Sequence, residues 1–167
     1  MSPQAYPEYD PAKHPIPCVG ILAPHMYMPS VLMVEHGLKS NHEPGIYGLP
    51  GGRFNVTRND NGIISVETAK KVAVRELWEE SGLTADSKHT FPLSYTCSAE
   101  MRYGFSTMKL FACTRFSGEL RSQFPWEATP LWVSIENLKG LEQAGRLEVN
   151  VFDAVTEGLK ELNRLQL

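Results

Sequence analysis

The chain is expected to fold as α/β, with a mixed sheet between helical layers. Three observations carry that expectation. Short apolar runs punctuated by Pro and Gly lie on both sides of one mid-chain segment, Ala69 to Ser81, which itself holds neither Gly nor Pro. Those runs have the length of buried strands, whereas the uninterrupted segment has the length of a helix. The chain then closes on a second apolar stripe at helical spacing.

Taken in order, residues 1 to 17 carry five prolines, at positions 3, 7, 11, 15 and 17, and are expected to form an extended arm. Tyr6 and Tyr9 on that arm are suited to pack on the domain or on a partner subunit of a homodimer. Residues 18 to 167 are read as a single domain. Cys18 to Ala23 and Val31 to Glu35 are apolar runs of strand length around the turn from Pro24 to Pro29, and are expected to pair as a hairpin at the centre of the sheet. Phe91 to Cys97 and Phe105 to Arg115 read as two antiparallel strands around a polar loop, Ser98 to Gly104. Leu131 to Val133 is a short strand, and Ser134 is placed to cap a short helix. Asn150, with Asp153 three residues on, opens a last helix whose stripe is Val151, Val155, Leu159 and Leu162.

Composition narrows the class. The 167 residues are 42% hydrophobic and 21% charged, as in an ordinary globular domain. No run approaches the ~18 apolar residues of a membrane span. The first residues lack a basic patch followed by an apolar run, so the cytoplasm is the expected compartment. A net charge of −3 without a basic cluster argues against a binder of long nucleic acid, while small phosphorylated ligands remain accessible through a metal ion. Cys18, Cys97 and Cys113 lack C-x-x-C spacing and read as buried thiols. His14, His25, His36, His42 and His89 show no metal-ligand spacing and read as loop or surface residues. No G-x-S-x-G elbow supports a serine hydrolase.

The mid-chain helix is where the chemistry gathers. Thr68 is a suitable N-cap and Gly82 a suitable C-terminal cap. At about 100° per residue, Glu76, Glu79 and Glu80 fall within roughly a third of the circumference, on the arc of Ala69, Val72, Ala73 and Leu83. Val74, Leu77 and Trp78 lie on other arcs, so the helix is expected between two packed layers. Neighbouring like charges cost about 0.2–0.5 kcal/mol per pair, and acids near a helix C-terminus oppose its dipole by about 0.3–1 kcal/mol. Folding alone does not account for that placement. A hard divalent cation does, since Mg²⁺ takes carboxylate and carbonyl oxygens, and the turn Leu49-Pro50-Gly51-Gly52 can bring backbone groups near it. The rival reading is a solvated acidic face.

The run Arg75-Glu76-Leu77-Trp78-Glu79-Glu80-Ser81-Gly82-Leu83 resembles the second half of the Nudix hydrolase signature, Arg-Glu-U-x-Glu-Glu-x-Gly-U with U aliphatic, at every defined position. Seven residues, 68 to 74, separate Glu67 from Arg75, as that signature requires. The first half departs from it. Residues 53 to 66 separate Gly52 from Glu67, nine more than the five of the signature, and the polar run Asn55 to Gly62 is the natural place for the excess. Closure entropy grows by only about 0.6 kcal/mol per doubling of loop length, so a site can survive such an insertion.

The resemblance implies a Nudix-like α/β/α sandwich with a mixed β-sheet, and a Mg²⁺-dependent hydrolase, Mn²⁺ being the alternative ion, that cleaves a phosphoanhydride in a nucleoside diphosphate linked to another moiety. It implies that Glu79 and Glu80 hold the metal, with Glu76 completing the set or acting as base, and Gly52 nearby. Arg75 is expected to pair with Glu67 and orient the loop against the helix. The general base of such enzymes often lies outside the signature, and Glu127, on a loop ahead of Pro130-Leu131-Trp132, is the second candidate. Its spacing to Pro130 and Trp132 is similar to a pattern in the branch that hydrolyses oxidised purine nucleoside triphosphates, although the acidic base-reading pair of that branch is not evident downstream. Arg53, Arg102, Tyr47, Phe54 and Tyr103 are candidates to meet a small nucleotide substrate, with Glu100 and Trp126 close by in sequence; ordinary packing is the rival explanation for the aromatics. The alternative function is a catalytically idle Nudix-fold module that binds a nucleotide as a sensor.

Overall fold

The computed structural model describes residues 16–40, 42–58, 60–61, 64–101 and 104–165. Alternation along three strands decides its layering. On β1 (Ile16–Leu22), Val19 and Ile21 face one core cluster and Leu22 the other. On β2 (Ser30–His36), Leu32 joins the first cluster while Val31 and Met33 join the second. A third strand, Gly104–Cys113, splits Phe111 and Cys113 from Leu110 and Ala112 in the same way. A strand buried on both faces must be apolar at consecutive positions, which is why these runs are continuous.

Helix α1 (Ala69–Ser81) covers the first face with Val72, Ala73 and Leu77. Helices α2 (Ile135–Gln143) and α3 (Val151–Leu165) cover the second with Leu138, Val151, Ala154, Val155 and Leu162. The expected α/β/α sandwich is therefore present. Its largest sheet has the order β4-β1-β9-β8, with β4 at Gly51–Arg53, β8 at Thr90–Met101 and β9 at Gly104–Cys113. That sheet is mixed, because β1 runs parallel to β9 while the other pairings are antiparallel. A second sheet has the order β11-β2-β3, with β3 at Tyr47–Gly48 and β11 at Ala128–Ser134. Short pairs complete the fold: β5 (Val56–Arg58) with β6 (Ile64–Val66), and β7 (Thr84–Ala85) with β10 (Phe116–Ser117).

Several expectations need correction. Strands β1 and β2 do not form a hairpin; they leave the Pro24–Pro29 turn into different sheets and share one bridge, Pro24 with Val31. Pro24 has no N–H with which to continue a ladder, and β1 instead takes β4 and β9 as partners. Residues Ile16 and Pro17, expected in the arm, belong to β1, and residues 1–15, including Tyr6 and Tyr9, lie outside the described residues. The loop expected from Ser98 to Gly104 is mostly strand, because β8 continues to Met101 and β9 begins at Gly104. The strand expected at Leu131–Val133 runs from Ala128 to Ser134, and tolerates Pro130 because β11 is at a sheet edge.

Of the second apolar side expected of helix α1, Leu77 is fully buried and Val74 half-buried, whereas Trp78 is 47% exposed and remains uncovered. Cys113 is buried, but Cys18 and Cys97 are half-buried rather than enclosed. His36 is a buried strand residue, 6% exposed, not a surface one.

Candidate functional site

Helix α1 sets the site because its ends are fixed. The Thr68 side chain accepts from the Lys71 N–H at the start. Gly82 takes a left-handed φ of 74° at the end, where its N–H bonds the Trp78 carbonyl. The apolar residues Val72, Ala73 and Leu77 dock one face on the sheets, and the same rotation turns Glu76 inward and brings Glu80 beside β4. Glu76 is only 9% exposed.

Arg75 ties the acids together. Its Nε donates to Glu67 Oε1 at 3.1 Å and its Nη2 to Glu67 Oε2 at 3.0 Å. Nη1 donates to Glu76 Oε1 at 2.6 Å and to Glu79 Oε2 at 2.9 Å. Nη2 also reaches the Arg53 carbonyl on β4 at 2.9 Å. A planar guanidinium can serve these acceptors at once, which a point-charged ammonium cannot. Glu67 is anchored further by the Asn55 N–H at 3.1 Å, so the residues on either side of the β5–β6 hairpin clasp its base. Hydrogen bonding from Arg75 holds the Glu67 carboxyl below the usual glutamate range.

Glu80 faces the glycine turn. Its Oε2 accepts from the Gly51 N–H at 2.9 Å. Burial pushes its carboxyl well above the usual range; the Gly51 N–H pulls the other way, and Glu76, Glu148 and Glu79 add to the rise. Burial likewise raises Glu76, with Arg75 opposing it. Gly52 has a steric reason to be glycine, since a Cβ there would overlap the Glu76 carboxylate. Each of the three acids thus has one oxygen held by a donor, Arg75 or Gly51, and they raise one another's proton affinity. That donor set, oxygen-only and carboxylate-rich, fits a hard divalent cation such as Mg²⁺.

The remaining candidates are more scattered. Glu127 is exposed, its N–H bonds the Phe124 carbonyl and its carbonyl accepts from Gly37. Among the described residues no hydrogen bond or ion pair joins its carboxylate to Glu76, Glu79 or Glu80. Its loop does touch the helix, because the Gln123 N–H bonds the Glu79 carbonyl at 2.8 Å. Tyr47 lies half-buried under the Arg146 guanidinium, 5.0 Å from its ring centroid. Phe54 packs on the cluster of α1, and the Arg53 side chain is exposed on β4. Trp126 is exposed with Lys39 Nζ 6.0 Å from its ring centroid. Arg102 and Tyr103 lie outside the described residues, as does the Glu100 side chain.

The NUDIX domain family profile matches residues 16–152. The chain belongs to the NUDIX domain family. At the level of that family it is a Nudix-type pyrophosphohydrolase. No curated protein sequence matches it. Solved structures share the Nudix fold at low identity. The MutT protein from Methanosarcina mazei Go1 superposes with a TM-score of 0.66 at 22% identity, covering 90% of this chain and 94% of that one. The NUDIX domain of Shewanella oneidensis NrtR, complexed with ADP ribose, gives 0.65 at 19% identity and covers 92% and 94%. The E. coli ORF135 protein gives 0.60 at 18% identity and covers 90% and 92%.

Two parts of this Nudix site escaped the sequence reading. The backbone partners, Gly51 N–H for Glu80 and Arg53 carbonyl for Arg75, follow from strand placement rather than residue type. The nearness of Glu148 to Glu80 joins residues far apart in the chain, and nothing local signals it.

Proposed function

We propose that this Nudix protein is a Mg²⁺-dependent hydrolase, with Mn²⁺ as the alternative ion, that cleaves the phosphoanhydride of a nucleoside diphosphate linked to another moiety. One observation carries the reading: Glu76, Glu79 and Glu80 converge on one arc of α1, braced by Arg75 and the Gly51 N–H. ADP ribose, the molecule bound by the NrtR domain, belongs to the proposed substrate class.

Glu79 and Glu80, with Glu76 and the Gly52 backbone beside them, would hold the ion. When bound, Mg²⁺ neutralises diphosphate oxygens and lowers the pKa of a water. The chain's own work is then positional. Arg75 fixes the carboxylates of Glu76 and Glu79 relative to Glu67, so little reorganisation is left for the moment of reaction. A water oxygen attacks one phosphorus, the bridging P–O bond breaks, and the water's proton passes to a carboxylate. Glu76 is favoured as that base, because burial raises its proton affinity; Glu127 is the second candidate. Arg53, exposed beside the clasp, would meet a phosphate or ribose, and Tyr47, Phe54, Arg102 and Tyr103 complete the proposed substrate contacts. We place the protein in the cytoplasm, where its three thiols stay reduced.

The test is a screen with Mg²⁺ and with Mn²⁺ against nucleoside triphosphates, nucleoside diphosphate sugars, dinucleoside polyphosphates and coenzyme A. Turnover of a linked nucleoside diphosphate to a nucleoside monophosphate is the expected result. Removing a general base costs about 10²–10⁴ in rate, so Glu76→Gln and Glu127→Gln assign that role. Defined binding of a nucleotide without turnover under either metal would replace the enzyme by a sensor.

A further inference from the structure

Beside the carboxylate cluster lies a second group of metal-ligating side chains with different chemistry. His36 ends β2, His42 follows in the connection to β3, and Glu148 comes from the segment between α2 and α3. Glu148 Oε1 lies 3.1 Å from His36 Nε2 and 2.5 Å from His42 Nδ1. One ligand atom from each residue can be chosen so that all lie within 4.8 Å of one another. The two imidazoles are stacked, with centroids 4.2 Å apart and an interplanar angle of 14°.

Three independent features suit the group to a cation. The first is charge. Among the described residues the ion-pair partners of Glu148 are these two histidines, and Glu80 adds negative potential nearby. A half-buried carboxylate beside a second acid is costly unless a positive charge compensates it. The second feature is orientation. Ser40 Oγ bonds His36 Nδ1 at 3.2 Å and also accepts the His42 N–H at 3.1 Å. When His36 Nδ1 donates to Ser40, the lone pair of the neutral ring falls on Nε2, which faces Glu148; ligating histidines are commonly fixed in this way. The third is space. A Cβ on Gly48 would overlap the Glu148 carboxylate and crowd His36 Nε2, so glycine at that position lets the two ligands approach.

We infer that His36, His42 and Glu148 form a second cation site, selective for a borderline divalent ion such as Zn²⁺ and distinct from the all-oxygen site of Glu76, Glu79 and Glu80. Two imidazoles and one carboxylate suit Zn²⁺ or Co²⁺, whereas Mg²⁺ prefers oxygen alone. With metal–ligand distances of about 2.0–2.1 Å, the edges of a tetrahedron are about 3.3 Å long. The His36 to Glu148 separation is already close to that. The His42 pair must open slightly, which its side chain, 32% exposed, has room to do. Three protein ligands leave one position for water or a ligand oxygen.

The test uses the full chain, stripped with chelator and titrated with Co²⁺ while Mg²⁺ saturates the carboxylate cluster. One equivalent should bind with the visible spectrum of tetrahedral cobalt, and Zn²⁺ should displace it. His42→Ala and Glu148→Gln should each weaken Co²⁺ binding by about 100-fold or more, because losing even an orienting partner costs about 10–100-fold. Ser40→Ala should weaken it by about tenfold. Glu79→Gln with Glu80→Gln should leave it unchanged, which separates this inference from the fate of the hydrolase reading. Absence of the tetrahedral spectrum in the wild-type protein overturns the site, as does binding that survives in folded His42→Ala and Glu148→Gln. Loss of binding in the Glu79, Glu80 double variant also overturns it.

Discussion

Arg75 and Glu67 meet through both the Nε and the Nη2 of the guanidinium, at 3.1 and 3.0 Å, and so join helix α1 to the residue that closes the β5–β6 hairpin. The Glu67 N–H in turn bonds the Asn55 carbonyl at 2.9 Å. The hairpin is thus an appendage whose base is clamped by a residue of the signature, and the helix acids are held by the other end of the same guanidinium.

The pair should therefore behave as a unit. The Arg75 and Glu67 side chains are 22% and 14% exposed, sheltered enough for hydrogen bonds between charges to contribute about 1.5–3 kcal/mol. A double-mutant cycle of Arg75→Gln and Glu67→Gln, read by urea unfolding, should give a coupling of about 1 kcal/mol or more. Arg75→Lys should lower kcat at least about tenfold, since it keeps the charge and loses the fork. Additivity within about 0.3–0.5 kcal/mol would show that the two residues act independently.

Glu67 also makes an acid-side prediction. Its carboxyl is held below the ordinary glutamate value by Arg75, so the unfolded chain binds its proton more readily than the folded one. The stabilisation is complete above about pH 4.3 and is lost as the pH falls through the depressed value. Glu67→Gln should lower stability at neutral pH and flatten the acid limb of a stability profile measured between about pH 2 and pH 7. An acid limb of unchanged steepness would assign the effect elsewhere.

Local order was legible from the sequence and long-range partnership was not. The caps Thr68 and Gly82 bound α1 because capping is a property of adjacent residues. The alternating faces of β1, β2 and β9 could be anticipated only as buried runs, since strands covered on both sides lose the period-2 signal. The expected β1–β2 hairpin failed because proximity in sequence favours pairing but does not force it; β1 found Ser106 to Ala112 across the chain. The acids of α1 share an arc by helix geometry alone, so that part of the site was visible. The bond of Glu148 to His36 and its nearness to Glu80 span large sequence separations and needed the fold.

Glu80 should trade stability for function. Its carboxyl is buried beside Glu76, Glu79 and Glu148 and is stabilised by one backbone donor, the Gly51 N–H. Glu80→Gln keeps an oxygen for that donor and removes the like-charge repulsion. Without metal, its thermal midpoint at neutral pH should rise by a few degrees, corresponding to about 1 kcal/mol. Calorimetric Mg²⁺ affinity should fall at the same time. A midpoint lowered in metal-free buffer would mean that the charge is compensated in the fold.

The last prediction concerns the hairpin itself. Residues 53 to 66 exceed the usual span of the signature, and the structure folds Val56–Arg58 against Ile64–Val66 as an antiparallel pair. Asn55 and Glu67 already face each other through two bonds, Asn55 N–H to Glu67 Oε2 and Glu67 N–H to the Asn55 carbonyl. The closure below the hairpin is complete without it. Replacing residues 56–66 by Asn-Gly, a sequence suited to a two-residue β-turn, should keep Asn55, Glu67 and Arg75 in register. Shortening the loop also reduces its closure entropy slightly, so stability should stay within about 1 kcal/mol of the parent. Two readouts then separate the roles open to the segment. If kcat and KM for every substrate in the screen shift together by less than a few-fold, the hairpin is a surface excursion. If KM rises for one linked nucleoside diphosphate and not for others while the thermal midpoint holds, the hairpin contacts the leaving moiety. A collapse of the midpoint would show that the clamp of Arg75 on Glu67 depends on the strands above it.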